Sequence, residues 1–68
     1  MRLDKFVGKA IFDLNIKIYH NNTRTLLFDI NDCEDYSKTK GYMKHYKVCS
    51  YEAFDNGLLV YVKERKNG

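Results

Sequence analysis

Two cysteines and two histidines are the residues best suited to metal binding or nucleophilic chemistry. Cys33 and Cys49 lie sixteen residues apart and form no Cys-x-x-Cys unit, and His20 and His45 lie at no short spacing from them that would complete a zinc site. Structural zinc sites usually show paired ligands at short spacing, so the sequence predicts no metal site. His45 and Cys49 share a face of a predicted strand, but about 13 Å of extended chain separates them. A Cys–His nucleophile pair is therefore not expected.

A group of acidic and amide residues lies near the middle of the chain: Asp29, Asn31, Asp32, Glu34 and Asp35. It differs from an EF-hand loop because a cysteine takes the place of the third ligand and no glycine follows. We interpret it as a solvated loop in which Asp32 caps a short helical turn over residues 32–36. The chain also has no glycine-rich phosphate loop and no Gly-x-Ser-x-Gly motif. We therefore predict a protein that is not an enzyme and has no cofactor.

Aromatic and basic residues alternate in the second half of the chain. If a tight turn joins the last two strands, they share one face of a sheet. The candidate binding residues are Lys44, Tyr46, Phe54, Tyr61, Lys63 and Arg65. Rings that stack on bases and cations that contact phosphates are typical of proteins that bind single-stranded nucleic acid. Tyr and Arg are also common anchors of protein interfaces. The alternative is that Phe54, Leu59 and Tyr61 form half of a barrel core.

Alternating apolar residues predict the strands that would position this face. Four strands are expected, over residues 10–20, 24–31, 42–54 and 58–65. In the first, the alternation begins with Phe12 and Leu14 on the apolar side. Asn-, Asp- and Gly-containing segments separate the strands, as turn residues do.

Hydrophobic matching predicts the register of the first hairpin. A three-residue loop at 21–23 places Ile18 opposite Leu26 and Ile16 opposite Phe28. A two-residue loop would instead oppose apolar to polar side chains. Since a slip of one residue turns every side chain to the other face, the odd loop is favoured.

The second hairpin is predicted to turn at Asn56-Gly57. Asn-Gly is the strongest short hairpin signal because a type I′ turn needs positive φ at both central residues. This turn would pair Ala53 with Val60 and Tyr51 with Val62, which separates apolar from polar residues.

The first nine residues allow two interpretations. Leu3, Phe6 and Val7 have helical spacing, whereas Gly8 disfavours a long helix. The alternative is a short additional strand that bends at Gly8. The sequence therefore predicts an all-β domain with a short N-terminal helix or a fifth strand. Its two hairpins would form a small antiparallel sheet or barrel of four to five strands.

Length and composition favour a binding surface over an enclosed active site. The chain has 68 residues with 44% hydrophobic residues and a net charge of +3, so we expect one ordered domain over residues 1–68. A domain of this size buries only about 60% of the surface of its unfolded chain. Ligand pockets of about 300–1,000 Å³ are difficult to accommodate in so small a core. Two cysteines are too few for a disulfide scaffold.

The expected function is a non-enzymatic protein–protein contact, as an inhibitor or accessory factor of phage or mobile-element type. The abundance of Asn, Lys, Tyr and Ile, with no Trp or Pro, is typical of proteins from AT-rich bacterial or phage genomes. Nucleic-acid binding through the aromatic and basic face is the alternative. We expect a cytoplasmic location and no membrane contact, because no secretion signal and no apolar run of about 20 residues is found. The oligomeric state is left open, with an edge-strand dimer as one option.

Overall fold

A four-stranded mixed sheet carries two helices on one face. The computed structural model describes residues 1–10, without the side chain of Ala10, and residues 15–66. The elements are α1 (Leu3–Ala10), β1 (Asn15–His20), β2 (Leu26–Ile30), α2 (Cys33–Met43), β3 (Tyr46–Phe54) and β4 (Gly57–Glu64). The strand order is β2-β1-β4-β3. The central strands β1 and β4 are parallel, and each outer strand is antiparallel to its neighbour.

The all-β prediction is correct only in part. The domain is mostly sheet, but it contains two helices, its sheet is mixed and it is not a closed barrel. Hydrophobic matching finds strands that are neighbours along the chain. It does not find the parallel pairing of β1 with β4, which forms because the chain through α2 carries β3 to the far side of the sheet. Of the two interpretations of residues 1–9, the helix is the correct one.

The core lies between the helices and one face of the sheet. It consists of nine buried apolar residues: Leu3, Val7, Ile16, Ile18, Ile30, Met43, Leu58, Val60 and Val62. Each large aliphatic side chain contributes about 1.5–3 kcal/mol when it is fully buried. On β1 and β4 the core residues occupy every second position, as expected for strands with one buried face.

Helix α2 is longer than the single turn predicted at residues 32–36, and it includes residues 42 and 43, which were predicted as strand. Asp32 is its N-cap, as predicted, and accepts a hydrogen bond from the backbone N–H of Asp35 at 2.8 Å. Met43 is the one fully buried residue of α2. A helix with so few buried residues shows no apolar stripe in its sequence, and this explains why the prediction missed most of it.

The two helices approach each other closely at Gly8. The Tyr36 hydroxyl donates a hydrogen bond to the backbone carbonyl of Asp4 at 3.0 Å. A Cβ atom on Gly8 would lie 2.8 Å from that hydroxyl oxygen. Gly8 is therefore tolerated within α1 because it leaves room for the Tyr36 ring.

In the first hairpin the predicted faces are correct for the core residues, but the predicted register is wrong by two residues. Ile18 lies opposite Phe28, and Ile16 lies opposite Ile30. The loop is longer than predicted, since His20 N–H bonds to the Thr25 carbonyl at 2.9 Å. A bulge at Leu27 then turns Leu26 to the other face. The predicted positions of Phe12 and Leu14 lie outside the described residues.

The second hairpin turns at Asp55-Asn56, so the predicted Asn56-Gly57 turn is wrong. Phe54 pairs with Gly57, and no described glycine has positive φ, which a type I′ turn would require. Instead, Gly57 lies beside β1, where an added Cβ would lie 3.4 Å from the Asn15 carbonyl oxygen. This is an ordinary van der Waals distance, so the contact with β1 does not by itself require glycine at this position.

Candidate functional site

The face of the sheet opposite the helices carries long polar and aromatic side chains. Directly opposed residues share a face, so the strand registers identify its members. We call it the open face, and it comprises Lys17, Tyr19, Leu26, Asp29, Lys47, Ser50, Glu52, Phe54, Leu59, Tyr61 and Lys63.

Two tyrosines and an arginine form the centre of the open face. Tyr19 and Tyr61 are partners in the parallel β1–β4 pair, with ring centroids 6.1 Å apart. The guanidinium carbon of Arg24, in the loop after β1, lies 4.6 Å from the centroid of the Tyr61 ring. This distance is typical of a cation–π contact. Both tyrosines are partly exposed.

Basic residues surround the aromatic centre. Lys47 and Lys63 are directly opposed in the β3–β4 pair, and like charges at such positions repel each other. Lys17 forms an ion pair with Asp29 at 3.1 Å. The four strands and the loop after β1 place four basic side chains on this face (Lys17, Arg24, Lys47 and Lys63) against two acidic ones, Asp29 and Glu52.

Three of the six residues proposed from the sequence lie on the open face: Phe54, Tyr61 and Lys63. Phe54 is 54% exposed, so it does not form the second half of a barrel core. Among the described residues, the open face has no second layer packed on it. A role in binding stays a prediction for all six residues.

Of the other three residues, Lys44 and Tyr46 lie elsewhere, which corrects the prediction that all six share one face, and Arg65 directly follows the end of β4. Tyr46 lies on the helix side, with its ring centroid 5.8 Å from that of Phe28. Lys44 ends α2, and its carbonyl accepts a hydrogen bond from Arg65 Nη1 at 3.0 Å. Tyr46 lies on the helix side because of a bulge at Cys49, which is the extra residue between two regions of the β3–β4 pairing. A bulge adds one residue to a strand, so the side chains on its two sides follow opposite alternations. A prediction that assumes unbroken alternation cannot find it.

Sequence reasoning missed Tyr19, Arg24 and Lys47 as members of this surface. Tyr19 lies on the polar side of the predicted first strand, so the alternation of the sequence already placed it away from the core. This placement indicates a binding residue only when β1 is known to lie next to β4, because that pairing brings Tyr19 beside Tyr61. Arg24 belongs to a loop, and the sequence carries no signal for its position over a ring.

His20 connects the loop after β1 to the end of β4. Its Nε2 lies 2.7 Å from Glu64 Oε1, and its Nδ1 accepts a hydrogen bond from the backbone N–H of Asn22 at 3.1 Å. The pKa of Glu64 is below its ordinary value because its carboxylate accepts hydrogen bonds from its own backbone N–H and from His20. This pair holds the loop against β4.

Within residues 1–10 and 15–66 the structure has no enclosed pocket and no group of three His, Cys, Asp or Glu residues placed to hold a metal ion. Neither of the described helices has the length and apolar character needed to cross a membrane. Comparisons with protein families, with characterised proteins and with solved structures find no match to this chain.

Proposed function

We propose that the protein is a non-enzymatic binding protein that holds single-stranded nucleic acid on its open face. The observation that carries this proposal is the partly exposed Tyr19–Tyr61 pair at the centre of the open face, with basic side chains around it. Aromatic rings on an open sheet stack on unpaired bases with little dependence on sequence, and each base contributes about 1–3 kcal/mol.

The opposed lysines supply the contacts to the backbone of the nucleic acid. Lys47 and Lys63 repel each other in the free protein, because they are paired across β3 and β4. A phosphate between their ammonium groups would turn this repulsion into two attractive contacts. Lys63 also lies two residues from Tyr61 on the same face, which is about 7 Å along a strand. A base on Tyr61 and a phosphate at Lys63 are therefore compatible.

A protein partner on the same face is the second candidate, and the sequence placed it first. The observation that favours it is the pair of exposed apolar side chains on this face, Leu26 at 46% and Phe54 at 54% exposure. Such residues become buried in protein interfaces. We rank it second because the four basic side chains match a polyanion better. In either case we propose a cytoplasmic location, which suits the free, exposed thiols of Cys33 and Cys49.

Fluorescence anisotropy with labelled single-stranded and duplex oligonucleotides, at two salt concentrations, tests the proposal. The wild-type protein should bind the single strand at micromolar concentration and lose affinity as salt rises, since binding releases counterions. Tyr61→Ala should lower the affinity about ten-fold through loss of stacking. Tyr42→Ala is the matched control, because Tyr42 is 67% exposed on α2 and lies outside the open face.

Three results would contradict the proposal. The first is no binding to the single strand at low salt. The second is equal affinity for single strand and duplex, and the third is equal loss of affinity in the Tyr61 and Tyr42 variants. Circular dichroism of each variant shows whether the fold is retained. If the oligonucleotide does not bind, an affinity pull-down that depends on Tyr61 but not on Tyr42 would favour the protein partner.

A further inference from the structure

Arg24 has an unusual backbone conformation. It is the one non-glycine residue with positive φ among those described, at 60°. L-amino acids with a Cβ atom are strained in this region, which glycine and asparagine occupy at lower cost. Residues held in such conformations concentrate at functional sites, which directs attention to the Arg24 side chain.

Hydrogen bonds fix the loop that carries Arg24. The Arg24 N–H donates to the His20 carbonyl at 2.8 Å, and the Asn21 N–H donates to the Val62 carbonyl of β4 at 2.7 Å. The His20 side chain also contacts Glu64 and the backbone of Asn22. These contacts hold the Arg24 backbone beside β4, and its side chain extends over the Tyr61 ring.

The Arg24 guanidinium covers the ring face on which a base would stack. A flat base between the two groups needs about 3.5–4.0 Å on each side, whereas the guanidinium carbon is only 4.6 Å from the ring centroid. The base and the guanidinium therefore compete for Tyr61. Among the described residues, no carboxylate forms an ion pair with Arg24.

We propose that Arg24 regulates access to Tyr61 by exchanging the ring for a phosphate when a base stacks there. This inference rests on the proposed binding of single-stranded nucleic acid. A cation–π contact at an exposed site is weak, and a charge-assisted hydrogen bond from guanidinium to phosphate is stronger. A nucleotide compensates the lost ring contact with its phosphate, whereas a base without phosphate does not. The site therefore selects phosphate-bearing strands over free bases.

Two probes distinguish the loss of the Arg24–ring contact from the gain of the Arg24–phosphate contact. The first is adenosine, a base without phosphate, followed by NMR shifts of ¹³C-labelled tyrosine rings. The second is a labelled single-stranded oligonucleotide, followed by anisotropy. Arg24→Ala should raise the affinity for adenosine about three-fold, because the ring is uncovered. The same variant should lower the affinity for the oligonucleotide about ten-fold, because a phosphate contact is lost.

Two further variants complete the design. Arg24→Gly removes the same side chain and relieves the backbone strain, so it should show the same opposite changes even if Arg24→Ala folds poorly. Lys5→Ala removes one positive charge from the exposed side of α1 and should change neither affinity more than its small effect on net charge allows.

The inference is supported if both Arg24 variants bind adenosine more tightly and the oligonucleotide more weakly than the wild-type protein does. Affinities that fall together, or oligonucleotide binding by Arg24→Ala that equals that of Lys5→Ala, would overturn it while the proposed function stands. If the wild-type protein binds no oligonucleotide at low salt, both the inference and the proposed function fail.

Discussion

The two faces of the sheet differ most clearly on β4, where neighbouring residues belong to opposite environments. Val60 and Val62 are fully buried beneath the helices, whereas Tyr61 and Lys63 point to the open face. Short aliphatic side chains fill a dry core because every atom gains contacts and none needs a hydrogen bond. Long amphipathic side chains cover the other face with their apolar parts and keep their polar ends in water.

Because the two faces differ in this way, substitutions on one face should change stability and substitutions on the other should change binding affinity. The covered face holds six of the nine core residues, and the helices that pack on it hold the other three. Changes there should act on the free energy of unfolding. The open face holds like-charged neighbours and a strained arginine, which do not favour folding. Substitutions on this face should therefore act mainly on affinity.

The largest expected effect comes from substituting neighbours on β1. Ile18 is fully buried, so Ile18→Ala should lower the free energy of unfolding by about 2–5 kcal/mol. Tyr19→Ala, on the open face, should cost about 1 kcal/mol through loss of the contact between the two tyrosine rings. Urea unfolding followed by circular dichroism measures both. Equal costs would mean that the open face is part of the core, and the comparison would fail.

A smaller effect is expected from the two glycines within the helices. Nothing lies within 4 Å of a Cβ added to Gly41, so Gly41→Ala should stabilise the protein by about 1 kcal/mol. Gly8→Ala should stabilise it less or destabilise it, because the new methyl group would displace the Tyr36 hydroxyl. The two unfolding midpoints provide the measurement. Equal stabilisation would show that α1 and α2 do not pack closely at Gly8.

The smallest expected effect is the acid sensitivity of the ion pair beside α1. The Arg2 guanidinium bonds to Asp4 at 2.6 Å and holds the pKa of that carboxyl below its usual value. A lowered folded-state pKa contributes stability above the unfolded pKa of about 4, and this is lost as the pH falls through the folded value. Asp4→Asn should therefore reduce the difference between unfolding midpoints at pH 7 and pH 2.

Asp29→Asn is the matched control, because its ion pair with Lys17 lies on the open face with side chains 46% and 40% exposed. Exposed pairs contribute little to stability. If this control alters the acid sensitivity as much as Asp4→Asn does, the partly buried pair contributes no more than the exposed one.

Local patterns in the sequence determined the four strands and most of their faces, and they gave the α1 helix as one of two alternatives for the first nine residues. Period-two alternation depends only on which side chains prefer water, so it identified Ile16, Ile18, Val60 and Val62 on one face without knowledge of the partner strands. It also placed Phe54, Tyr61 and Lys63 together on the other face. The capping of α2 by Asp32 was readable for the same reason, because an N-cap contacts residues only three positions away.

Only the tertiary structure decided the parallel pairing of β1 with β4, and with it the composition of the candidate site. That pairing joins segments far apart in sequence, and it is stabilised by burial of both strands beneath the two helices, a long-range contact that no local pattern contains. The bulge at Cys49 removed Tyr46 from the open face, and the pairing added Tyr19. The position of Arg24 over Tyr61 depends on hydrogen bonds between a loop and a distant strand. Such contacts have no sequence period, so only the folded chain reveals them.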